Sequence, residues 1–306
     1  MTTPFAEYTD HDALGLAALV KKGDVSAEEI LEAAIARAEQ ENPRLNAIIH
    51  PLYDRARALL RNRPLPDGVF RGVPFVVKDL VSPLKGVPMH NGSRFYEGYV
   101  PDHNSELMKR WLRTGVVVMG KTNTPEFGQL PTTEPEIFGP SRNPWDTERT
   151  TGGSSGGTAA AVASGMAPLG TGGDGGGSIR IPSSACGLFG LKPSRGRNPY
   201  GPDQSAAWDG LAIEHVLTRS VRDSAAMLDA TCGWMPGDQA FLPRPPRPFR
   251  EEVKHDPGRL RIGFSAEALL PADVDPEVVQ SVRDTAAQLE ALGHDVVEAK
   301  PHMDGQ

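Results

Sequence analysis

The residues best placed to do chemistry lie in a run rich in glycine. From Thr151 it reads TGGSSGGTAAAVASGMAPLGTGGDGGGS. It sets Ser154 and Ser155 in one glycine cluster and Ser178 at the end of another, 24 positions beyond Ser154. Far upstream, the apolar run 73–77 leads straight into Lys78. A serine hydroxyl is a weak nucleophile until a neighbouring base takes its proton. Glycine lets the backbone approach a bound group closely. A flexible linker would share this composition, but the Ala-rich helical stretch inside the run and the IRIP that follows it point to folded structure.

Two short patterns match within the run, and each makes demands on its surroundings. GTGGDG (170–175) fits G-x-G-x-x-G, which as a dinucleotide site needs a strand before it, a helix after it and an acidic residue about 20 positions on. Pro182 follows soon after any helix start, and the next acidic residue after the loop is Asp203. GSSGG (153–157) fits G-x-S-x-G, which would make Ser155 the nucleophile of a serine esterase with a downstream acid and histidine. His215, His255, His294 and His302 are available, and none is marked by its context. No G-K-[ST] follows the glycines of this run, which excludes a P-loop there.

A third reading uses far more of the chain. GVPFVVKDL (72–80), GKTNTPEFG (120–128), NPWDTERTTGGSSGG (143–157), GSIRIPSSACGLFGLKPSRGR (177–197) and LTRSVRDSA (217–225) together resemble the amidase signature family, in family order. The loop approaching Ser178 is most similar to the nylon-oligomer, aryl-acylamide and carbamate-cleaving branches. The resemblance implies a Ser–Ser–Lys triad. Ser178 is then the acylated nucleophile, Ser154 relays its proton after a cis Gly153–Ser154 peptide, and neutral Lys78 is the terminal base.

Gly175, Gly176 and Gly177, with the Ser178 N–H, become the expected oxyanion hole. Asp174 and Arg180 become supports for the loop, and Ser155 a hydrogen-bonding neighbour. No metal or organic cofactor is implied. A lysine with a reference pKa near 10.4 must be desolvated to act as a base, and residues 73–77 offer apolar walls. The bland alternatives are an ion pair between Lys78 and Asp79, and a glycine turn without catalytic duty. The implied function is hydrolysis of a carboxylic amide, whether aryl amide, oligoamide or carbamate. Its alternatives are a catalytically silent binding or scaffold subunit, or the Ser155 esterase.

These residues must be held by strands and helices. Ser26 and Glu29 form a capping box before a helix over 26–40, with Ile30, Leu31, Ala34, Ile35 and Ala38 on one face. Residues 73–77 and 117–119 read as buried strands. Residues 105–113 read as an amphipathic helix with Leu107, Met108, Trp111 and Leu112 inward. LFGLKP (188–193) reads as a strand ended by proline, and Ser220 with Asp223 as a second capping box opening a helix to Ala230. LRIGFS (260–265), 275–291 and HDVVEA (294–299) read as strand, helix and strand, with Gly293 as the helix stop.

Alternating strands and helices imply an α/β fold, with a mixed, largely parallel twisted sheet flanked by helices. Four regions are expected: an N-terminal helical region (1–68), a catalytic core (69–233), a Pro-rich surface excursion (234–258) and the start of a C-terminal portion (259–306). Family chains run well past residue 306, so the resemblance implies that a C-terminal part is lacking. An unfinished sheet has a free edge, so self-association or a separate C-terminal segment is expected.

Bulk properties fit this reading. The 306 residues carry a formal net charge of -7, with 39% hydrophobic and 23% charged residues and no long basic run. That is poor matching for nucleic acid or an anionic membrane. Cys186 and Cys232 form no C-x-x-C pair and read as buried thiols. The polar start MTTPFAEYTDHD lacks the apolar stretch of a signal peptide. The expected setting is cytoplasmic and the expected partner a small-molecule amide.

Overall fold

The structure, a computed structural model, describes residues 5–268 and 272–300. The chain divides into two units, Met1–Val253 and Lys254–Gln306. The first opens with helices α1 (Ala13–Lys22) and α2 (Ala27–Leu45). The box at the start of α2 is reciprocal: the Glu29 N–H donates to Ser26 Oγ and the Ser26 N–H donates to the Glu29 carboxylate at 2.8 Å. The helix runs past the expected end at residue 40, carries Pro43 within it, and stops where Asn46 turns left-handed.

A strand the sequence reading did not find, β1 (Ile48–Pro51), follows, and then α3 (Tyr53–Asn62). The apolar run becomes β2 (Pro74–Lys78), buried at every position. Helix α4 (Glu106–Arg113) starts at Ser105, whose Oγ accepts the Met108 N–H, and buries Leu107, Met108 and Trp111. Leu112, expected inward as well, is half-buried. Strand β3 (Val117–Thr122) is longer than its apolar letters suggest. The glycine-rich run splits into α5 (Gly156–Ala163), β4 (Leu169–Asp174) and α6 (Arg180–Cys186). Pro182 sits within the first turn of α6, where its missing N–H costs little.

LFGLKP yields only the two-residue β5 (Phe189–Gly190). A third strand outside the sequence reading, β6 (Ile213–Thr218), after β1 and β4, leads into α7 (Val221–Thr231). Only half of the expected second box forms. Ser220 Oγ accepts the Asp223 N–H, but the Asp223 carboxylate turns away to cap α1, accepting from the N–H groups of Ala13 and Leu14 at 2.9 Å each. The Pro-rich stretch is mostly exposed and closes with the short α8 (Phe249–Glu252).

Six strands form one sheet in the order β1-β3-β2-β4-β6-β5. The parallel pairings are confined to its centre, β3 with β2 and β2 with β4. The flanking pairs β1/β3, β4/β6 and β6/β5 are antiparallel. The fold is thus mixed α/β. Its core gathers Phe70, Phe75, Trp111, Leu16 and Ile30 around β2 and β3. Between β2 and β4, Lys78 donates its backbone N–H to Thr171 Oγ1 at 2.8 Å, which fixes the end of β2 against the glycine strand. The second unit is a parallel pair, β7 (Arg261–Phe264) and β8 (Asp295–Glu298), joined through α9 (Pro276–Ala291). Among the described residues, no helix is long and apolar enough to cross a membrane.

Candidate active site

The end of β2, the turn before α5 and the loop between β4 and α6 meet in one cavity. Lys78, Ser154, Ser178, Gly175, Trp208 and Glu214 are among the residues that line it. Lys78 is 2% exposed. Its Nζ donates to Ser154 Oγ at 2.7 Å and to Ser155 Oγ at 3.0 Å. The Gly153–Ser154 peptide is cis. Ser178 joins through the backbone, its carbonyl accepting the Ser155 N–H at 3.3 Å, and its half-buried side chain shares the cavity wall. Asp79 pairs with a different lysine, Lys121, at 3.1 Å.

Burial pushes the Lys78 ammonium down to about 7, and the negative charges of Glu214 and Asp174 oppose that fall. The amine is therefore available as a base near neutrality. Burial pushes the Glu214 carboxyl up to about 7, against the hydrogen bond from Ser82 and the charges of Lys78 and Lys121.

Asp174 organises the loop before Ser178. Burial alone would raise its carboxyl, but the Arg180 guanidinium and three backbone N–H groups hold it well below the usual carboxylate range. Arg180 grips it through two nitrogens, at 2.9 and 3.0 Å, and Lys192 Nζ lies 3.3 Å away. The N–H groups of Gly177, Ile179 and Arg180 also point at Asp174.

This arrangement divides the glycines. The Gly177 N–H is committed to Asp174 at 2.8 Å and so faces away from any anion beside Ser178. Among the described residues, no acceptor engages the N–H of Gly176 or Ser178. A side chain at Gly175 would strike the Trp208 indole at 2.7 Å, and one at Gly177 would strike Ile181 at 2.7 Å. One at Gly176 would meet nothing within 4 Å. Only Gly176 opens onto free space.

The histidines expected for an esterase do not gather here. Ser155 Oγ receives Lys78. His215 points its Nε2 at Ser224 Oγ, 2.8 Å away, and burial pushes it down to about 3. His255 and His294 belong to the second unit, and His302 lies outside the described residues. All but the last residue of the G-x-G-x-x-G match lies within β4 itself, which follows helix α5 and not a strand that could deliver a dinucleotide loop.

Sequence reasoning missed Glu214, because β6 was not recognised, and Lys192, whose Nζ also donates to the carbonyls of Gly175 and Leu211 at 2.8 Å. Of the aromatic residues in 188–208, Tyr200 and Trp208 reach the cavity wall. Val81, Phe127 and Trp208, which have positive φ, also line it. Such backbone is uncommon away from glycine and concentrates at functional sites.

Comparison with known proteins places this geometry in context. The family model described as Amidase matches residues 29–303. Over 299 residues the chain is 44% identical to the 6-aminohexanoate-cyclic-dimer hydrolase of Paenarthrobacter ureafaciens, covering 96% of this chain and 60% of that protein. A solved structure of 6-aminohexanoate cyclic dimer hydrolase superposes with a TM-score of 0.89 at 41% identity, covering 96% of this chain and 61% of the other. A bacterial aryl acylamidase of the amidase signature enzymes superposes with a TM-score of 0.82 at 30% identity, covering 94% and 61%. The chain thus spans about 60% of the length of the curated relatives it matches.

Proposed function

The chain belongs to the amidase family, the amidase signature enzymes, and from that membership we propose that it hydrolyses carboxylic amides through an acyl-enzyme on Ser178. The observation that carries the reading is the 2.7 Å hydrogen bond from the buried Lys78 amine to Ser154, within the cavity that Ser178 also lines. In the first step Ser178 Oγ attacks the amide carbonyl carbon. Its proton passes to Ser154 Oγ, whose own proton passes to the Lys78 amine.

The carbonyl oxygen, now negative, is held by backbone N–H groups. The sequence reading put Gly177 among them. With the Gly177 N–H bound to Asp174, the cradle narrows to Gly175, Gly176 and Ser178. Lys78 then returns a proton through Ser154 to the departing nitrogen, the C–N bond breaks, and the amine leaves. Water attacks the ester by the same relay and releases the acid. The relatives and the aromatic walls Phe127, Tyr200 and Trp208 favour an oligoamide or aryl amide over a peptide, with a carbamate as a chemical neighbour.

The test is to treat the folded protein with a serine-reactive fluorophosphonate, to map the added mass, and to follow turnover of a chromogenic anilide. Label on Ser178 in the parent chain and its loss in Lys78→Ala are expected, with anilide turnover falling by at least a hundredfold in the variant. Label on Ser155 instead, or Ser178 label that survives loss of Lys78, overturns the mechanism. Failure of the parent chain to label or turn over points to a silent binding subunit.

A further inference from the structure

Glu214 is a buried carboxyl with no part in the relay described above. It stands on β6, opposite Gly173 of β4, and lines the same cavity as Lys78, Ser154 and Ser178. It is 6% exposed. A carboxylate taken so far from water needs a hydrogen bond and a counter-charge. The hydrogen bond comes from Ser82 Oγ, on the turn just after β2. The side chain lies over Gly173, where a Cβ would meet Glu214 Cγ at 3.6 Å and its Oε1 at 3.8 Å, ordinary contact distances.

The remaining charges near the pair are already engaged. Asp174 on β4 is gripped by Arg180 and Lys192, and Lys121 on β3 is paired with Asp79. Tyr200, from the segment after β5, is half-buried at the cavity wall with its buried hydroxyl pushed far up by desolvation and by the Glu214 charge, so it stays neutral. Among the described residues, Lys78 is the cation of this cavity whose hydrogen bonds go only to neutral hydroxyls.

We propose that Glu214 is a positioning residue for Lys78: held by Ser82 in the wall of the cavity that Lys78 also lines, its carboxylate is the counter-charge against which the Lys78 amine exchanges its proton. The inference rests on Lys78 being the base of the relay and adds the group that sets its working range. Desolvation alone would leave the amine too weak a base to draw a proton from serine. A nearby carboxylate restores basicity and steadies the ammonium formed while Ser178 is attacked. The direction follows from charge. With the carboxylate present, Lys78 holds its proton to higher pH; without it, Lys78 becomes neutral at lower pH.

The test separates this claim from amidase activity by reading Lys78 directly. The full chain is prepared with lysine labelled with carbon-13 at Cε, the Lys78 resonance is assigned by its loss in Lys78→Ala, and its shift is followed against pH. In Glu214→Gln the Lys78 midpoint is expected to fall by about one unit, the low end of the shift a close opposite charge produces. Glu214→Asp restores most of it. Should Glu214→Gln fail to fold, Ser82→Ala serves instead. It loosens the carboxylate, favours its neutral form, and should move the midpoint in the same direction by less.

The rate of Ser178 labelling against pH gives the second readout. Its acid limb should move down with the Lys78 midpoint. A Lys78 midpoint unchanged or raised in Glu214→Gln, or unchanged in Ser82→Ala where that variant stands in, overturns the proposal. A shifted midpoint on a Ser178 that never labels supports the coupling and removes the acyl-enzyme reading alone.

Discussion

The three glycines before Ser178 look alike in sequence, yet each answers to a different neighbour. Gly177 takes a φ of +126° and lies against Ile181. An alanine there is strained by its backbone as well as by its contact, so Gly177→Ala should lose more than about 1 kcal/mol of stability in urea unfolding. Gly176 has open space where its side chain would be, and no recorded acceptor for its N–H among the described residues. Gly176→Ala should therefore unfold like the parent, while a methyl group beside the carbonyl-binding N–H groups slows fluorophosphonate labelling of Ser178 by about a hundredfold, the scale of one lost oxyanion donor. Equal labelling rates in Gly176→Ala and the parent chain would remove Gly176 from the cradle. The contrast matters because it separates a glycine needed by the fold from one needed by the substrate.

At the scale of elements, Asp223 shows how far apart in sequence a cap can be supplied. From α7 it accepts the first two N–H groups of α1, 210 and 209 positions away. Asp223→Ala should cost about 1–2 kcal/mol through the lost cap and leave Ser178 labelling unchanged, as compared by urea unfolding and labelling rate. The sequence marks Asp223 only as a partner of Ser220, because a local capping box is visible in four letters and a tertiary cap is not. The same limit explains which elements could be read. Strand β2 shows as an unbroken apolar run, and α2 announces itself through Ser26 and Glu29. Strand β4 hides because Gly170, Gly172 and Gly173 carry no side chain to show a period of two. Strand β6 hides because Glu214 and His215 are charged or polar letters buried by their partners, so its pattern breaks where the site needs it. Lys78, Ser154 and Ser178 were legible because several segments around them resembled one family. Glu214 and Lys192 were not, since what singles them out is which cavity or carboxylate they face.

For the molecule as a whole, every residue assigned to the relay lies in Met1–Val253. The chain joining this unit to the next is exposed at each position from 251 to 260. The Pro-rich stretch before it is also exposed, but it is tied down. Arg197 donates to the Pro243 carbonyl at 3.0 Å, Asp238 accepts from Tyr200 and Met235, and Asp229 accepts the Phe249 and Arg250 N–H groups at the start of α8. Between Lys254 and Arg259 the hydrogen bond recorded is local, from the Gly258 N–H to Asp256. Protease access follows local opening more than surface position alone. Brief trypsin treatment of the native protein should therefore cut first at Lys254 and Arg259, ahead of Arg250, whose N–H is held by Asp229, and mass spectrometry should find a large fragment ending there. If the relay is complete within the first unit, that nicked protein labels Ser178 at the parent rate. Early cuts at Arg250 would show that the hydrogen bonds to Asp229 do not hold the start of α8 in solution. Labelling lost on nicking at Lys254 would show that the nucleophile depends on residues beyond Val253.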